Sequence, residues 1–225
     1  MRIIVNGALG KMGKILCCMI RDYGHEAIEV DKKCENNKTL SCYTEKADVL
    51  IDFSHHSSTY ELIGYAISRR IPTVIATTGH TESEKSAIKN AAKTIPIFMS
   101  ENFSLGISTF ISLLNDIGMF AQDADMEIFE EHNRDKADSP SGTALKISKK
   151  LNELTNNNRI HISSARYGKT VGKHTLIISN GNEKITIIHE AFDRDVFAYG
   201  AIKAAEFIVN MPVGLYNMEQ LDYEY

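Results

Sequence analysis

The first hundred residues alternate short apolar runs with stretches in which apolar side chains recur every three or four positions. The runs at 3–6, 27–31, 49–53, 73–77 and 96–99 predict strands, and the periodic stretches at 11–23, 57–70 and 82–94 predict helices. Strand–helix–strand units repeated in this way imply a parallel sheet covered by helices on both faces. Beyond residue 103 the texture changes. Residues 105–121 predict one long apolar helix, 126–132 a strand and 143–154 a second helix. Asn156-Asn157-Asn158 reads as a loop, and strands are predicted at 160–167, 174–179 and 184–189. The last two flank Asn180-Gly181-Asn182, a hairpin turn signal. Helical periodicity returns at 200–209, and Met211-Pro212-Val213-Gly214 stops it. The chain therefore reads as α/β, with an N-terminal parallel-sheet domain over 1–103. A mixed α/β domain with an open, mainly antiparallel sheet begins near 104.

Bulk properties narrow the function. With 225 residues, 43% of them hydrophobic, the chain is long enough for one large or two small cores. A net charge of −4 gives no general attraction to nucleic acid or to an anionic membrane surface. No run of about 18 apolar residues suggests a membrane span, and the opening Arg2-Ile3-Ile4-Val5 leaves no room for a signal peptide, so a cytoplasmic protein is expected. Cys17, Cys18, Cys34 and Cys42 lack Cys-x-x-Cys spacing and read as reduced structural thiols. His55 and His56 have no carboxylate at ligand spacing, so no metal site is expected.

Two places carry chemistry. The first is Gly7-Ala8-Leu9-Gly10-Lys11-Met12-Gly13, between the first strand and the first helix. Glycines there let backbone approach a pyrophosphate held on the helix N-terminus, and Asp31, ending the second strand, is placed to accept from a ribose diol. Asp31 repels a 2′-phosphate while Lys32 and Lys33 offset that charge, so the turn accommodates NADH or NADPH. Ala76-Thr77-Thr78-Gly79 and Ser100-Glu101-Asn102-Phe103 follow later strands of the same sheet and suit the nicotinamide–ribose end. The second is the polar loop from Glu130 to Ala144, with His132, Arg134, Asp135, Lys136 and Asp138 ahead of Pro140-Ser141-Gly142-Thr143. It combines an acid–base histidine, a cation and a helix N-terminus that favours an anion, a plausible site for an acidic small molecule. Arg166, His174, His189 and Arg194 are further candidates for the same cleft.

In order along the chain stand Gly-x-x-Gly-x-Met-Gly at 7–13, Asp-Val-Leu-Ile-Asp-Phe-Ser at 48–54 and Ala-Thr-Thr-Gly at 76–79. Glu-Asn-Phe-Ser-Leu-Gly at 101–106, the Lys-x-Asp-x-Pro-Ser-Gly-Thr element from Lys136, Thr-Val-Gly-Lys-His at 170–174 and Phe-Ala-Tyr-Gly-Ala at 197–201 follow. Together these resemble the 4-hydroxy-tetrahydrodipicolinate (dihydrodipicolinate) reductase family over essentially the full length, in a short form. The resemblance implies a Rossmann domain at 1–103 to which 196–225 return, and a substrate-binding and oligomerisation domain at 104–195. It implies NAD(P)H-dependent reduction of a cyclic imine dicarboxylate in lysine and diaminopimelate synthesis, by a homotetramer. Cofactor contacts then fall to Gly7, Ala8, Leu9, Gly10, Lys11, Met12, Asp31, Ala76, Thr77, Thr78, Ser100, Glu101, Asn102 and Phe103. His132 and Lys136 become the proton-transfer residues, and Gly142 and Thr143 the anchor for a carboxylate, with the Ser141–Thr143 backbone as its cradle. The sequence departs from the family at Asn133, where a second, substrate-binding histidine is expected. Asn donates a hydrogen bond but carries no charge, so weaker binding of the dianion, compensation by Arg134 or an altered substrate preference is expected. Asp135 adds negative charge beside it. Two other classes fit the glycine turn alone: a different small-molecule dehydrogenase, or a non-catalytic dinucleotide sensor. The first should lack the Pro-Ser-Gly-Thr element, and the second would lack the Lys/His pair and usually carry a basic DNA-reading segment.

Overall fold

A computed structural model describes residues 1–32, 39–155 and 159–221; Lys33, Cys34 and the Asn156-Asn157-Asn158 loop lie outside these. The chain folds as two compact units, one formed by Met1–Phe103 with the segment from Asp195 onward, the other by Ser104–Arg194.

The first unit is a six-stranded, wholly parallel sheet. β1 (Arg2–Asn6), β2 (Glu26–Val30), β3 (Val49–Asp52), β4 (Thr73–Ile75) and β5 (Pro96–Met99) lie within two residues of the predicted strands at every end. α1 (Lys11–Asp22), α2 (Thr59–Arg69) and α3 (Glu82–Ala91) connect them. α7 (Asp195–Ile208) packs beside α1, and α2 packs beside α3, which buries Ile4, Leu50, Ile75 and Ile97 of the sheet beneath that second pair. An additional strand with no counterpart among the predicted ones, β10 (Gly214–Tyr216), pairs in parallel with β5. Three residues after a proline carry too little period to register as a strand. The sheet order is β10-β5-β4-β3-β1-β2. It reverses direction between β1 and β3, and every strand's carboxyl end points to one edge, where open α/β sheets bind ligands.

The second unit holds β6 (Asp125–His132), β7 (Ile160–Arg166), β8 (Gly172–Ser179) and β9 (Lys184–Ala191) in the order β7-β6-β8-β9. β6 and β7 run parallel, while β6/β8 and β8/β9 are antiparallel. α6 (Gly142–Thr155) covers one face. The single helix predicted at 105–121 is instead α4 (Leu105–Leu113) and α5 (Gly118–Ala121). The first ends in tight i→i−3 bonds, Leu114 to Ile111, Asn115 to Ser112 and Asp116 to Leu113. Asn115, Asp116 and Gly118 are poor helix formers, and the short polar side chains compete for backbone bonds, so the apolar period continues while the helix does not.

Register decides what each half of the covered face contains. Met126 and Ile128 on β6 stand beside Ile160 and Ile162 on β7, with Ile178 and Leu176 on β8 and then Ile185 and Ile187 on β9. Most of these join the core with Ala144, Ile147 and Leu151 of α6. Two residues further along the same period-two face, Glu130 faces Ser164 and His174, His132 faces Arg166, and His174 faces His189. One end of the face is thus hydrophobic core and the other a polar cluster.

Candidate active site

In the first unit the turn after β1 is shaped by close backbone approach. Gly7 has φ +84°, and a Cβ there would lie 2.5 Å from the Phe53 carbonyl oxygen. A Cβ on Gly13 would lie 2.1 Å from the Gly7 carbonyl oxygen, so only glycine lets α1 start this near the turn. Gly7 and Ala8 both donate their N–H to Val30 O, at 2.9 and 3.2 Å. The N-cap of α1, Gly10, offers no side-chain cap. The first-turn N–H groups at Lys11 and Met12 therefore meet no capping side chain, as a pyrophosphate requires. Leu9 N–H donates to Asp31 Oδ2 at 3.1 Å, fixing that carboxylate beside the turn. Lys32 is ion-paired with Glu61 at 2.9 Å.

The neighbouring loops are tied together beneath. Buried Asp52 accepts from Asn6 Nδ2 (2.7 Å), Ser54 Oγ (2.6 Å) and Thr77 Oγ1 (2.6 Å), joining the ends of β1, β3 and β4 across the point where strand order reverses. Burial pushes its pKa up against the pull of these bonds. Thr77 is thus buried and committed to Asp52, whereas Thr78 is exposed. Ala76 is buried; Ser100 bonds to the Asn102 backbone, and Glu101 is exposed. Phe103 is buried, its ring in the core against Phe53 and Phe98 and its carbonyl packed against Gly200.

In the second unit the polar half of the sheet face gathers His132, Glu130, Arg166, His174 and His189. Glu130 is fully buried. Its carboxylate accepts from Arg166 Nη1 (2.9 Å) and Nη2 (2.6 Å), from Ser141 N–H (3.1 Å) and pairs with His132 Nδ1. Burial alone would raise its pKa, but bonds from Arg166, Ser164 and His132 hold it at about 2. Burial lowers His132, offset in part by Glu130 and reinforced by Lys136 and Arg166. His174 is driven down to about 3, first by burial and then by His132 and His189.

Two helix starts meet this cluster. Ser141 Oγ accepts Ala144 N–H at 3.2 Å and shares a hydrogen bond with His174 Nε2 at 3.2 Å. Ser104 Oγ accepts Ile107 N–H at 3.3 Å and shares one with His189 Nε2 at 3.2 Å. Lys136 Nζ pairs with Asp138 Oδ1 at 2.8 Å, and the Gly142 N–H helps hold Asp138 ionised. Within the Ser141–Thr143 backbone expected as a carboxylate cradle, Ser141 N–H already serves Glu130 and Gly142 N–H serves Asp138. Asn133 Oδ1 accepts Asp135 N–H at 3.1 Å, so its Nδ2 is the group available to donate. Arg194 is exposed. Glu130 and Ser141 are the contributors missed as side chains. The available signal was the alternation that puts Glu130 on the Met126–Ile128 face, where a charge must have partners. Among the described residues, no group of three or more His, Cys, Asp or Glu side chains is placed to hold a metal.

The family model described as the N-terminus of dihydrodipicolinate reductase matches residues 1–103, and the model described as its C-terminus matches 106–221. Proteins named 4-hydroxy-tetrahydrodipicolinate reductase from Caldanaerobacter subterraneus subsp. tengcongensis and Clostridium tetani are 39% and 37% identical to this chain. The alignments cover 98% and 97% of this chain and 97% and 95% of those proteins. The first runs over 246 positions, more than the 225 residues present here, so that relative carries insertions this chain lacks. The structure of a dipicolinate-bound dihydrodipicolinate reductase from Paenisporosarcina sp. TG-14 superposes with a TM-score of 0.80 at 18% identity, covering 96% of this chain and 97% of that one. The chain belongs to the dihydrodipicolinate reductase family.

Proposed function

We propose that His132 and Lys136 carry the proton chemistry of the reaction and that the turn at Gly7–Met12 with Asp31 holds its cofactor. The reaction is the NAD(P)H-dependent reduction of 4-hydroxy-tetrahydrodipicolinate in lysine and diaminopimelate biosynthesis. The observation that carries the residue assignment is the convergence of His132, Lys136 and the N-terminus of α6 at the polar end of one sheet face.

NAD(P)H, when bound, supplies a hydride. The chain's own residues must then bind a dicarboxylate and neutralise charge developing on the ring nitrogen and its neighbouring carbon. The Lys136 ammonium, paired with Asp138 at 2.8 Å, is the cation able to exchange that partner for a substrate carboxylate and to donate a proton. Gly142 and Thr143 anchor the other carboxylate at the positive end of α6, and Asn133 Nδ2 donates in place of a charged histidine. The uncapped start of α1, Lys11 and Met12 with the neighbouring Gly7, Ala8, Leu9 and Gly10, suits a pyrophosphate; Ala76, Thr77, Thr78, Ser100, Glu101, Asn102 and Phe103 line the same sheet edge. With Asp31 fixed by Leu9 and Lys32 engaged by Glu61, NADH is the favoured form.

The uncovered face of the four-stranded sheet, with Phe129, Ile177 and Ile188 among its side chains, is the surface through which a homotetramer assembles. No helix among the described residues is long and apolar enough to cross a membrane, and a biosynthetic role supports a cytoplasmic enzyme. The test is loss of NAD(P)H absorbance with enzymatically generated substrate. Turnover with NADH exceeding that with NADPH is expected; absence of turnover while cofactor still binds would overturn the reading.

A further inference from the structure

Glu130 is assigned no part in the reaction by the chemistry above, yet it is the most heavily bonded side chain of the cluster. It sits on β6 two residues before His132, on the same face, and is wholly removed from solvent. Arg166, reaching across from β7, grips both carboxylate oxygens at 2.9 and 2.6 Å and also donates to Asp138 O at 2.7 Å. A two-toothed guanidinium grip fixes the plane of a carboxylate, so Glu130 cannot turn to suit another partner. Beside the bond from Ser164, its other contacts are then directional: Oε2 faces His132 Nδ1, and Oε1 takes the N–H of Ser141.

An ionised carboxylate only accepts hydrogen bonds, so the Nδ1 facing Oε2 must carry the proton. That leaves Nε2 of the neutral ring as the bare nitrogen. A Cβ placed on Gly172, at the start of β8, would lie 3.0 Å from this Nε2 and 3.3 Å from Cδ2. The absence of a side chain at 172 therefore keeps the atom uncovered. The other groups facing the ring come from each packed element. These are Arg166 on β7, Lys136 from the loop after β6 and His174 on β8, edge-on at 5.2 Å, with His189 on β9 beyond it. His174 is held neutral, and Lys136 and Arg166 repel a proton; Glu130 is the anion in the set that favours one.

We propose that Glu130 is the positioning residue of the acid–base site. It holds the Nδ1 proton of His132 so that Nε2 alone exchanges a proton with the substrate, and through Ser141 it sets where the carboxylate anchor at Gly142 and Thr143 begins. This rests on His132 being the acid–base residue, and it deepens that reading in one respect: it names the atom. Glu130 thereby couples two functions that lie nine or more residues apart in sequence, and Arg166 is the clamp that makes the coupling rigid.

The experiment is histidine ¹⁵N NMR on the full-length protein, with the His132 signal assigned by its loss in His132→Gln, together with the pH profile of turnover. In the wild type the expected tautomer of His132 is Nδ1-protonated. Glu130→Gln keeps the shape but removes the anion, so His132 should become a mixture of tautomers and titrate at lower pH. The limb of the pH profile that follows His132 should move with it, and turnover should fall about 10- to 100-fold with cofactor affinity unchanged. Gly172→Ala, which leaves the buried carboxylate intact, should cut turnover by covering Nε2 while leaving the tautomer as it was. An Nε2-protonated wild type, an unmoved titration in Glu130→Gln, or full turnover in Gly172→Ala overturns the proposal. A wild type with the expected tautomer but no reductase turnover leaves the Glu130–His132 geometry standing and removes the acid–base role instead.

Discussion

The two sites of this chain are built from different materials. The dinucleotide turn is made of backbone: its shape comes from Gly7 and Gly13, where a single added carbon would collide with carbonyl oxygens, and its ligand groups are peptide N–H. The acid–base site is made of side chains from four strands and a loop, among them a carboxylate of pKa about 2 and a histidine of about 3 in the same buried cluster. A backbone site needs no desolvated charge and tolerates most changes outside its glycines. A buried side-chain site depends on every partner, because removing one leaves another charge unpaired.

The largest separation between the two is expected from Lys136→Ala. Turnover should fall about 10²- to 10⁴-fold, the range for loss of a positioned proton donor, while cofactor affinity measured by fluorescence titration stays within twofold. Equal loss of both would mean that the 136–144 loop is structural.

The mirror-image change is Gly13→Ala. A Cβ 2.1 Å from the Gly7 carbonyl oxygen forces α1 away from the turn, at a cost of about 1–3 kcal/mol by comparison with overpacked cores. Cofactor affinity should weaken about 10- to 100-fold, whereas turnover at saturating cofactor changes little. Normal affinity would show that the first turn of α1 does not hold the pyrophosphate. Within the same site Asp31→Ser should shift the ratio of kcat/KM for NADH and NADPH about tenfold toward NADPH, since it removes an anion beside the 2′ position. An unchanged ratio would move the ribose contact elsewhere.

The contrast also explains what the sequence made legible. A backbone site announces itself, because glycine is the residue that fits, and the helix begins at Lys11 as its period predicts. The parallel sheet was equally plain, since strands buried on both faces read as unbroken apolar runs. Only β10 escaped, being three residues long. Of the side-chain site, His132, Lys136, Gly142 and Thr143 were marked by their crowding into one loop. Glu130 was not, for Glu127, Glu130 and Glu131 look alike until β6 is paired and its covered face known. The break between α4 and α5 was hidden for the opposite reason: the apolar period runs straight through Leu114 and Ile117 although the backbone turns.

Acid should reach the second site first. Burial depresses four histidines, His80 in the first unit and His132, His174 and His189 in the second. Each contributes stability that is complete above the unfolded value of 6.5 and is lost as pH falls toward its lower folded value. For His174 the window runs from 6.5 down to about 3, with a slope of about 1.4 kcal/mol per pH unit for one proton taken up on unfolding. Glu130 adds a second proton between 4.5 and about 2. Hydrogen exchange at pH 5 should therefore deprotect β6, β8 and β9 more than β1, β3 and β4, and His174→Gln should flatten the decline. A uniform loss across both units would contradict the assignment.

The smallest effect is the most specific. Asn133 uses Oδ1 on Asp135 N–H and its carbonyl on Lys136 N–H at 3.2 Å, so it presents only an uncharged donor toward an anchored dianion. Asn133→His adds a group that is cationic below about pH 6.5 and lies in a half-buried position where an ion pair contributes up to about 1 kcal/mol. Substrate KM should fall about three- to fivefold at pH 6 and hardly at all at pH 8, with kcat and cofactor affinity constant. The pH dependence is the discriminating part. An improvement equal at both values would come from shape and not charge, and no improvement at either would mean that Arg134 already supplies the missing cation. In either case the side-chain site would prove more self-sufficient at this position than its dependence on Glu130 suggests.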